Sequence, residues 1–379
     1  MRQMPKREKG LKLKSDTRTS ARAGSNGRSA GFRAGWNDGY FLGMCEAIGR
    51  RTPGFRAEPR KLKVLYIPQG FESVDHGVME GLGQTVTEPI AGNPETMAEQ
   101  ARECRPDLVL VMNGLHVFPE NHLEQVDRIR AMGVRTAVWF ADDPYFTQDT
   151  AAIAPHYDYV FTHEIGCVDW YRSIGCANVH YLPLAASVSR YRPAHVDPRY
   201  RSDVCFIGTA FENRAAFIDK IARFLSGLRV VIAGGLWDAR LTRYALLAGQ
   251  IRLGYTPAEE CARYYAGAKI VLNVHRHTAE PKNTAGLPGR SVNPRTFEIA
   301  GCGTLQLTDV REDLPLHYAP GEEIAVFSSP GEARERIRYY LNHESERRKI
   351  AWNALMRTRR DHTYAHRLDR LLGTVFGDG

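Results

Sequence analysis

Lys269-Ile-Val-Leu-Asn-Val-His-Arg-His277 opens a segment that closes on Ser291-Val-Asn-Pro-Arg-Thr-Phe-Glu-Ile-Ala-Gly-Cys-Gly-Thr-Leu-Gln-Leu-Thr-Asp309. Between the two runs lies a loop of turn formers, with Pro281, Asn283, Gly286, Pro288 and Gly289. The order is strand, loop, helix, strand, and the first strand holds the apolar run Ile270–Leu272 without alternation, as in a parallel sheet covered on both faces. Pro294 suits the first turn of the helix with Asn293 as its cap. Gly301 and Gly303 would close the helix and begin the next strand. Exposed N–H groups at such a start attract an anion such as a diphosphate, and Arg295 adds a forked donor. Glu298, three residues on, shares that face and could accept hydrogen bonds from the two hydroxyls of a ribose. Each piece also has a plainer use: Asn-Pro is a routine helix start, the glutamate complements the helix dipole, and His275 could be a capped strand-end histidine.

Outward from this segment the alternation continues. Val204–Ile207, Arg229–Ala233, Ile251–Gly254, Lys269–Val274, Thr304–Thr308 and Ile324–Phe327 read as strands, separated by helical stretches such as Arg214–Leu225, Pro257–Ala266 and Gly331–Asn342. An earlier series has strands at Lys63–Pro68, Asp107–Met112, Thr136–Ala141, Tyr157–Thr162 and Val179–Leu182. The prolines and polar residues of 183–202 read as a linker. The expected fold class is α/β with two doubly wound domains, at residues 60–185 and 203–343. A cleft should lie at the carboxyl ends of their strands, where such sheets bind ligands. Residues 344–373 read as a long basic helix region that crosses back over the first domain.

The chain has 379 residues, 43% hydrophobic and 25% charged, with a formal charge of +8. These values exclude a disordered, collagen-like or membrane-bundle protein. Residues 1–28 hold nine basic and two acidic side chains, which leaves the rest of the chain nearly neutral. Residues 1–30 therefore read as a disordered basic tail, and the stretch 1–28 could touch an anionic surface or nucleic acid. Residues 31–50 carry glycine every four residues with Phe32, Trp36 and Tyr40 between, a helix with a small-residue groove. Two uses stay open for it: docking on the main body, or a homodimer through residues 31–46. The N-terminus has no secretory h-region. Seven cysteines without a C-x-x-C motif fit a reducing cytoplasm.

Further candidates sit at strand ends. Phe206-Ile-Gly208-Thr209 is followed by Arg214, so Gly208 would let backbone approach a phosphate that Arg214 also reaches. Gly70 holds the matching place in the first domain, with His76 beyond it either facing the cleft or on the surface. Trp139-Phe-Ala-Asp142-Asp143-Pro144 puts two carboxylates at a strand end, one a candidate base and the other a structural or acceptor-side group. His163 ends the next strand and could orient the transferred group or act as base. No third acid appears at ligand spacing, so a metal site is not indicated.

The run Ser291–Asp309, together with Pro320-Gly-Glu-Glu-Ile-Ala-Val-Phe327, Arg338-Tyr-Tyr-Leu341, Asp361-His-Thr-Tyr-Ala-His-Arg367, Asp142-Asp143-Pro144 and the glycine–aromatic repeat before Cys45, resembles the CgeB-type (spore-maturation-protein) glycosyltransferases. That resemblance implies the GT-B architecture, two Rossmann-like domains with the nucleotide-diphosphate sugar held mainly by the second. It implies Glu298 for the donor ribose, Asn293–Arg295 for the phosphates and Gly208 for the first glycine loop, with no cofactor and no required metal. Many retaining enzymes of this class carry another glutamate eight residues before the ribose glutamate, where this chain has Arg290. The expected function is sugar transfer in the cytoplasm to an unidentified acceptor, such as a spore-surface or cell-envelope glycan or glycoprotein. Expected donor contacts are Gly208, Arg214, His275, Asn293, Arg295, Glu298 and Gly303. Asp142, His163 and His76 are the catalytic candidates, with Gly70 and Asp143 toward the acceptor. The rivals are a nucleotide-sugar 2-epimerase of the same fold, which would turn over donor without acceptor, and a non-catalytic binding protein, which would not turn it over at all.

Overall fold

The computed structural model describes residues 17–51 and 54–377. Helix α1 spans Thr17–Arg51. The first sheet follows, built from β1 (Arg60–Ile67), α2 (Glu72–Thr85), β2 (Val86–Ala91), α3 (Met97–Cys104), β3 (Leu108–Met112), α4 (His122–Ala131), β4 (Arg135–Phe140), α5 (Thr147–Ile153), β5 (Tyr159–Thr162), α6 (Val168–Ser173) and β6 (Val179–Tyr181). Its strand order is β2-β1-β3-β4-β5-β6 and every pairing is parallel.

The second sheet comprises β7 (Ser202–Ile207), α7 (Glu212–Leu225), β8 (Val230–Gly234), α8 (Trp237–Arg240), α9 (Tyr244–Leu247), β9 (Ile251–Leu253), α10 (Ala258–Gly267), β10 (Ala268–Asn273), α11 (Arg295–Gly301), β11 (Leu305–Asp309), α12 (Leu314–His317), β12 (Ala325–Phe327) and α13 (Pro330–Asn342). Its order is β12-β11-β10-β7-β8-β9, again all parallel. All five residues of β3 and of β8 are buried, because helices cover both faces of each sheet, which is why these strands are apolar throughout.

The chain ends in two helices. α14 (Glu344–Asp361) packs on α11 and β11 of the second domain, whereas α15 (Tyr364–Phe376) crosses to the first domain and lies against α2. The crossing is tight: a Cβ on Gly81 of α2 would stand 2.8 Å from the Tyr364 carbonyl carbon. Beside it the linker crosses the other way, and Ala186 pairs with Thr363. Buried Arg367 ties the two crossings, its Nε donating to the Pro183 carbonyl oxygen at 2.9 Å and its Nη2 sharing a hydrogen bond with His362 Nδ1 at 3.0 Å.

Four expectations change. The C-terminal helix region is two helices with a break at His362. The linker is largely interior, with Leu184, Ala185, Ala186, Tyr191, Val196 and Tyr200 buried. α1 begins at Thr17, so residues 17–30 of the expected disordered tail are helical, while residues 1–16 lie outside the described part. Finally, the helix glycines do not pack closely, since a Cβ on Gly31, Gly35, Gly39 or Gly43 would meet nothing within 4 Å. The helix docks instead through buried Cys45, through Phe41 under the Arg348 guanidinium at 5.0 Å, and through the Arg348–Asp38 ion pair at 2.6 Å. Phe32, Trp36 and Tyr40 stay exposed.

Candidate active site

The carboxyl edges of the two sheets face each other. Glu164, after β5, is buried and accepts the backbone N–H groups of Arg290 (3.0 Å) and Ser291 (3.1 Å) from the long loop after β10. Ser291 Oγ accepts the Ile165 N–H in return. The Tyr145 hydroxyl reaches the Arg276 carbonyl, and Lys282 pairs with Asp149 at 2.9 Å. These links place the loops after β4, β5 and β10 around one crevice.

On the second domain two guanidinium groups converge over Gly208. A Cβ at Gly208 (φ +151°) would stand 3.1 Å from Arg214 Nη1 and 3.4 Å from Arg295 Nη2. Arg214 is buried and held by its own domain, Nε donating to Val274 O at 2.7 Å and Nη1 to Thr209 O at 3.2 Å. Among the described residues neither arginine has a carboxylate partner. Burial, reinforced by the neighbouring Arg295 charge, brings the Arg214 pKa down to about 9. A desolvated Arg214 beside a half-buried Arg295, neither in an ion pair among the described residues, forms a seat for an anion, and the forked donors suit phosphate oxygens. The other two arginines nearby are already paired, Arg276 with Glu280 at 2.7 Å and Arg311 with Asp309 at 2.9 Å. Arg276 also lies 4.0 Å over Phe211 and 4.5 Å over Tyr145, walling the seat on the first-domain side.

His275 and Asn293 shape this seat without facing it, which corrects both as donor contacts. His275 is buried, and Nδ1 lies 2.7 Å from Asp309 Oδ1 while Nε2 accepts the Asn293 backbone N–H at 3.1 Å. Both ring nitrogens are used inside the domain, and burial lowers the histidine's pKa. The Asn293 side chain exchanges hydrogen bonds with Asn273 (2.9 and 3.0 Å) and accepts the Thr296 N–H, which is the expected cap. Gly303 is also corrected. It follows α11, and α11 runs back to the amino edge of the sheet, so Gly303 (φ +68°) packs against Pro193 and Leu355 away from the crevice.

Glu298 is buried, and burial raises its pKa. Its Oε1 accepts the Ser73 hydroxyl of α2 at 2.5 Å, and Ser73 in turn accepts the Tyr191 hydroxyl at 3.0 Å. A hydroxyl from the opposite domain thus occupies the place expected for a ribose hydroxyl. Next to it Glu72 collects the Tyr255 hydroxyl (2.9 Å) and the Ala258 N–H (3.1 Å), joining α2 to α10.

On the first domain the adjacent aspartates separate. Asp143 is fully buried, accepting Thr162 Oγ1 at 2.6 Å and the Tyr171 hydroxyl at 2.8 Å. It anchors the loop and is closed to the crevice, contrary to an acceptor-side role. Burial lifts its pKa to about 6. The folded state therefore holds this proton more tightly than the unfolded chain, and stability should fall as pH rises from about 4 to about 6. Denaturant titrations across this window should show the decline, and Asp143→Asn should flatten it.

Asp142 stays half-open. Its Oδ2 accepts Asn113 Nδ2 at 2.8 Å, and Asn113 Oδ1 accepts the backbone N–H groups of Ala141 and Asp142. His116 Nε2 lies 3.5 Å from the same Oδ2. This histidine was missed in the sequence. The only signal for it was the Asn113-Gly114 turn directly after β3, which sets three residues near φ +60° and lifts His116 onto the rim. Gly70 lies alongside, since Gln69 exchanges two hydrogen bonds with Leu115. His163 is buried, with Nε2 on the Asp143 carbonyl at 2.9 Å and Nδ1 unpartnered among the described residues. His76 points to the linker, 3.2 Å from Ser189 Oγ, into a 650 Å³ hollow with Arg190, Arg192 and Arg263. That places it away from the arginine pair.

Comparison with known proteins agrees with this architecture. A family model described as glycosyl transferase-like matches residues 214–373. The spore protein CgeB of Bacillus subtilis (strain 168) is 30% identical over 300 residues, covering 76% of this chain and 91% of the relative. Among solved structures, sucrose-phosphate synthase from Thermosynechococcus elongatus superposes with a TM-score of 0.57 at 10% identity, over 84% of this chain and 99% of that one. Anabaena HepE, in complex with UDP and glucose, gives 0.59 at 10% identity, over 83% and 99%. Among the described residues no helix is long and apolar enough to cross a membrane. With two facing all-parallel sheets, an unpaired arginine couple at the glycine loop and a relative of this closeness, the chain belongs to the CgeB family of GT-B glycosyltransferases.

Proposed function

We propose that this glycosyltransferase takes its sugar from a nucleoside-diphosphate donor bound on the second domain, and passes it to an acceptor that enters along the carboxyl edge of the first. The observation that carries this reading is the convergence over Gly208 of Arg214 and Arg295, neither in an ion pair among the described residues. As the bond between sugar and diphosphate breaks, negative charge grows on the leaving phosphate, and two preorganised guanidinium groups stabilise it there. Glu298 takes the ribose hydroxyls once Ser73 withdraws. HepE is known in complex with UDP-glucose, which makes that sugar nucleotide the first donor to try, and the name of the CgeB relative directs the acceptor search to spore-surface glycans or glycoproteins.

Calorimetry with UDP tests the site. Glu298→Ala should weaken binding about tenfold or more, the scale of a lost charged hydrogen bond. Ser73→Ala should tighten it, because the donor no longer has to displace the serine hydroxyl from the carboxylate. A wild-type protein that binds neither UDP nor other nucleoside diphosphates overturns the reading. Donor turnover that yields an epimer without an acceptor would move the chain to the 2-epimerase class.

A further inference from the structure

We infer that His116 is the general base that takes the proton of the acceptor hydroxyl, with Asp142 as its positioning partner, so that transfer inverts the anomeric centre. This rests on the donor site proposed above.

The position comes first. Across the carboxyl edge of the first sheet the loops run from α2, where Ser73 meets Glu298, through Gly70 and Leu115–His116, to Asp142 and Tyr145 under Arg276. The His116 loop thus lies between the ribose glutamate and the wall of the diphosphate seat. Of the polar candidates on this edge, Asp143 is buried and saturated, His163 is buried with Nε2 fixed on a carbonyl, and His76 faces the linker. His116 presents an exposed ring on the Asp142 side of this edge, edge-on to Phe146 at 4.8 Å.

The chemistry follows from its partner. Nε2 is the ring nitrogen turned toward the Asp142 carboxylate, at 3.5 Å from Oδ2, and Nδ1 has no partner among the described residues. Asn113 locks the carboxylate from the other side at 2.8 Å. The carboxylate supports the imidazolium that forms on proton transfer. The left-handed backbone at Asn113 (φ +62°) and His116 (φ +58°) is of the sort that collects at functional sites. Other charges near the ring are Asp149 and Lys282, paired to each other, and the Asp142 interaction dominates to raise the histidine's pKa.

In the reaction the acceptor O–H proton passes to Nδ1 and the acceptor oxygen bonds to the anomeric carbon. The bond from that carbon to the phosphate oxygen breaks, and its electron pair leaves with the diphosphate onto Arg214 and Arg295. The proton returns to solvent through the exposed ring. A single displacement of this kind inverts.

UDP-glucose with water as acceptor provides the test. Release of UDP by wild type should rise with pH along a limb above 6.5, and the glucose first seen by proton NMR should be the β anomer. His116→Gln should cut release at least 100-fold while leaving UDP affinity in calorimetry unchanged. Asp142→Asn should move the pH limb downward, since the ring loses its carboxylate. An α-glucose product, an unaltered rate in His116→Gln, or a wild type that binds UDP and releases none from UDP-glucose overturns the assignment. Failure of UDP to bind at all removes the donor site itself.

Discussion

Arg214→Met should weaken UDP binding about 100-fold or more and abolish the thermal shift that UDP gives the wild type. The side chain lies over Gly208 with its charge desolvated and pressed by the neighbouring Arg295, so an incoming diphosphate relieves an existing electrostatic cost as well as gaining forked hydrogen bonds. One or two charged hydrogen bonds at about 1.5–3 kcal/mol each set the scale. The ligand-free protein should change far less. Removing a buried charge offsets the loss of the bonds to Val274 O and Thr209 O. Arg214→Lys should fall between, because a lysine keeps the charge and loses the planar fork. Calorimetry and melting curves with and without UDP distinguish these outcomes, and a variant that still binds UDP with wild-type affinity would dismiss the arginine pair as the phosphate seat.

Gly234→Ala should be the most damaging single methyl group in the second domain. Gly234 (φ +141°) ends β8, and a Cβ there would stand 2.2 Å from Gly208 O and 3.1 Å from Thr209 N. Both obstacles are backbone, so either the strand spacing or the phosphate loop has to move. Overpacking of this kind costs on the order of 1–3 kcal/mol or more, and the displaced Gly208 loop should lose UDP binding as well. Gly235→Ala next to it is the control, since a Cβ there meets nothing within 4 Å. Denaturant unfolding should separate the two variants clearly; equal stability of both would contradict the close approach.

Burial explains what could be read from the chain and what could not. Central strands such as β3, β4 and β8 announce themselves as apolar runs because helices cover both faces of the sheets. β2 does not. Val86-Thr-Glu-Pro-Ile-Ala91 is an edge strand with a proline and two exposed polar residues, and it pairs on one side only. In the candidate site, the sequence pointed to Arg214, Arg295, Glu298 and Gly208 through their types and places at strand and helix ends, and the structure brings both arginines to Gly208. Asp142 and Asp143 look alike in sequence. Which one turns inward depends on Thr162 and Tyr171, and no local pattern reports partners that far along the chain. Gly303 was misplaced because a helix-closing glycine belongs to whichever end of the domain the helix runs toward. His116 was missed because one polar residue in a turn gives no periodic signal, and its neighbour Asp142 lies 26 residues away.

The return of α15 to the first domain has a consequence for the order of synthesis. The sheet made first on the ribosome keeps an apolar flank of α2 bare until residues 364–376 emerge, because Tyr364 and Leu368 are the side chains that cover it. The second domain, though translated later, has all its own parts in hand sooner. A chain shortened before Tyr364 would therefore harm its oldest portion, exposing grease at the end farthest from the cut.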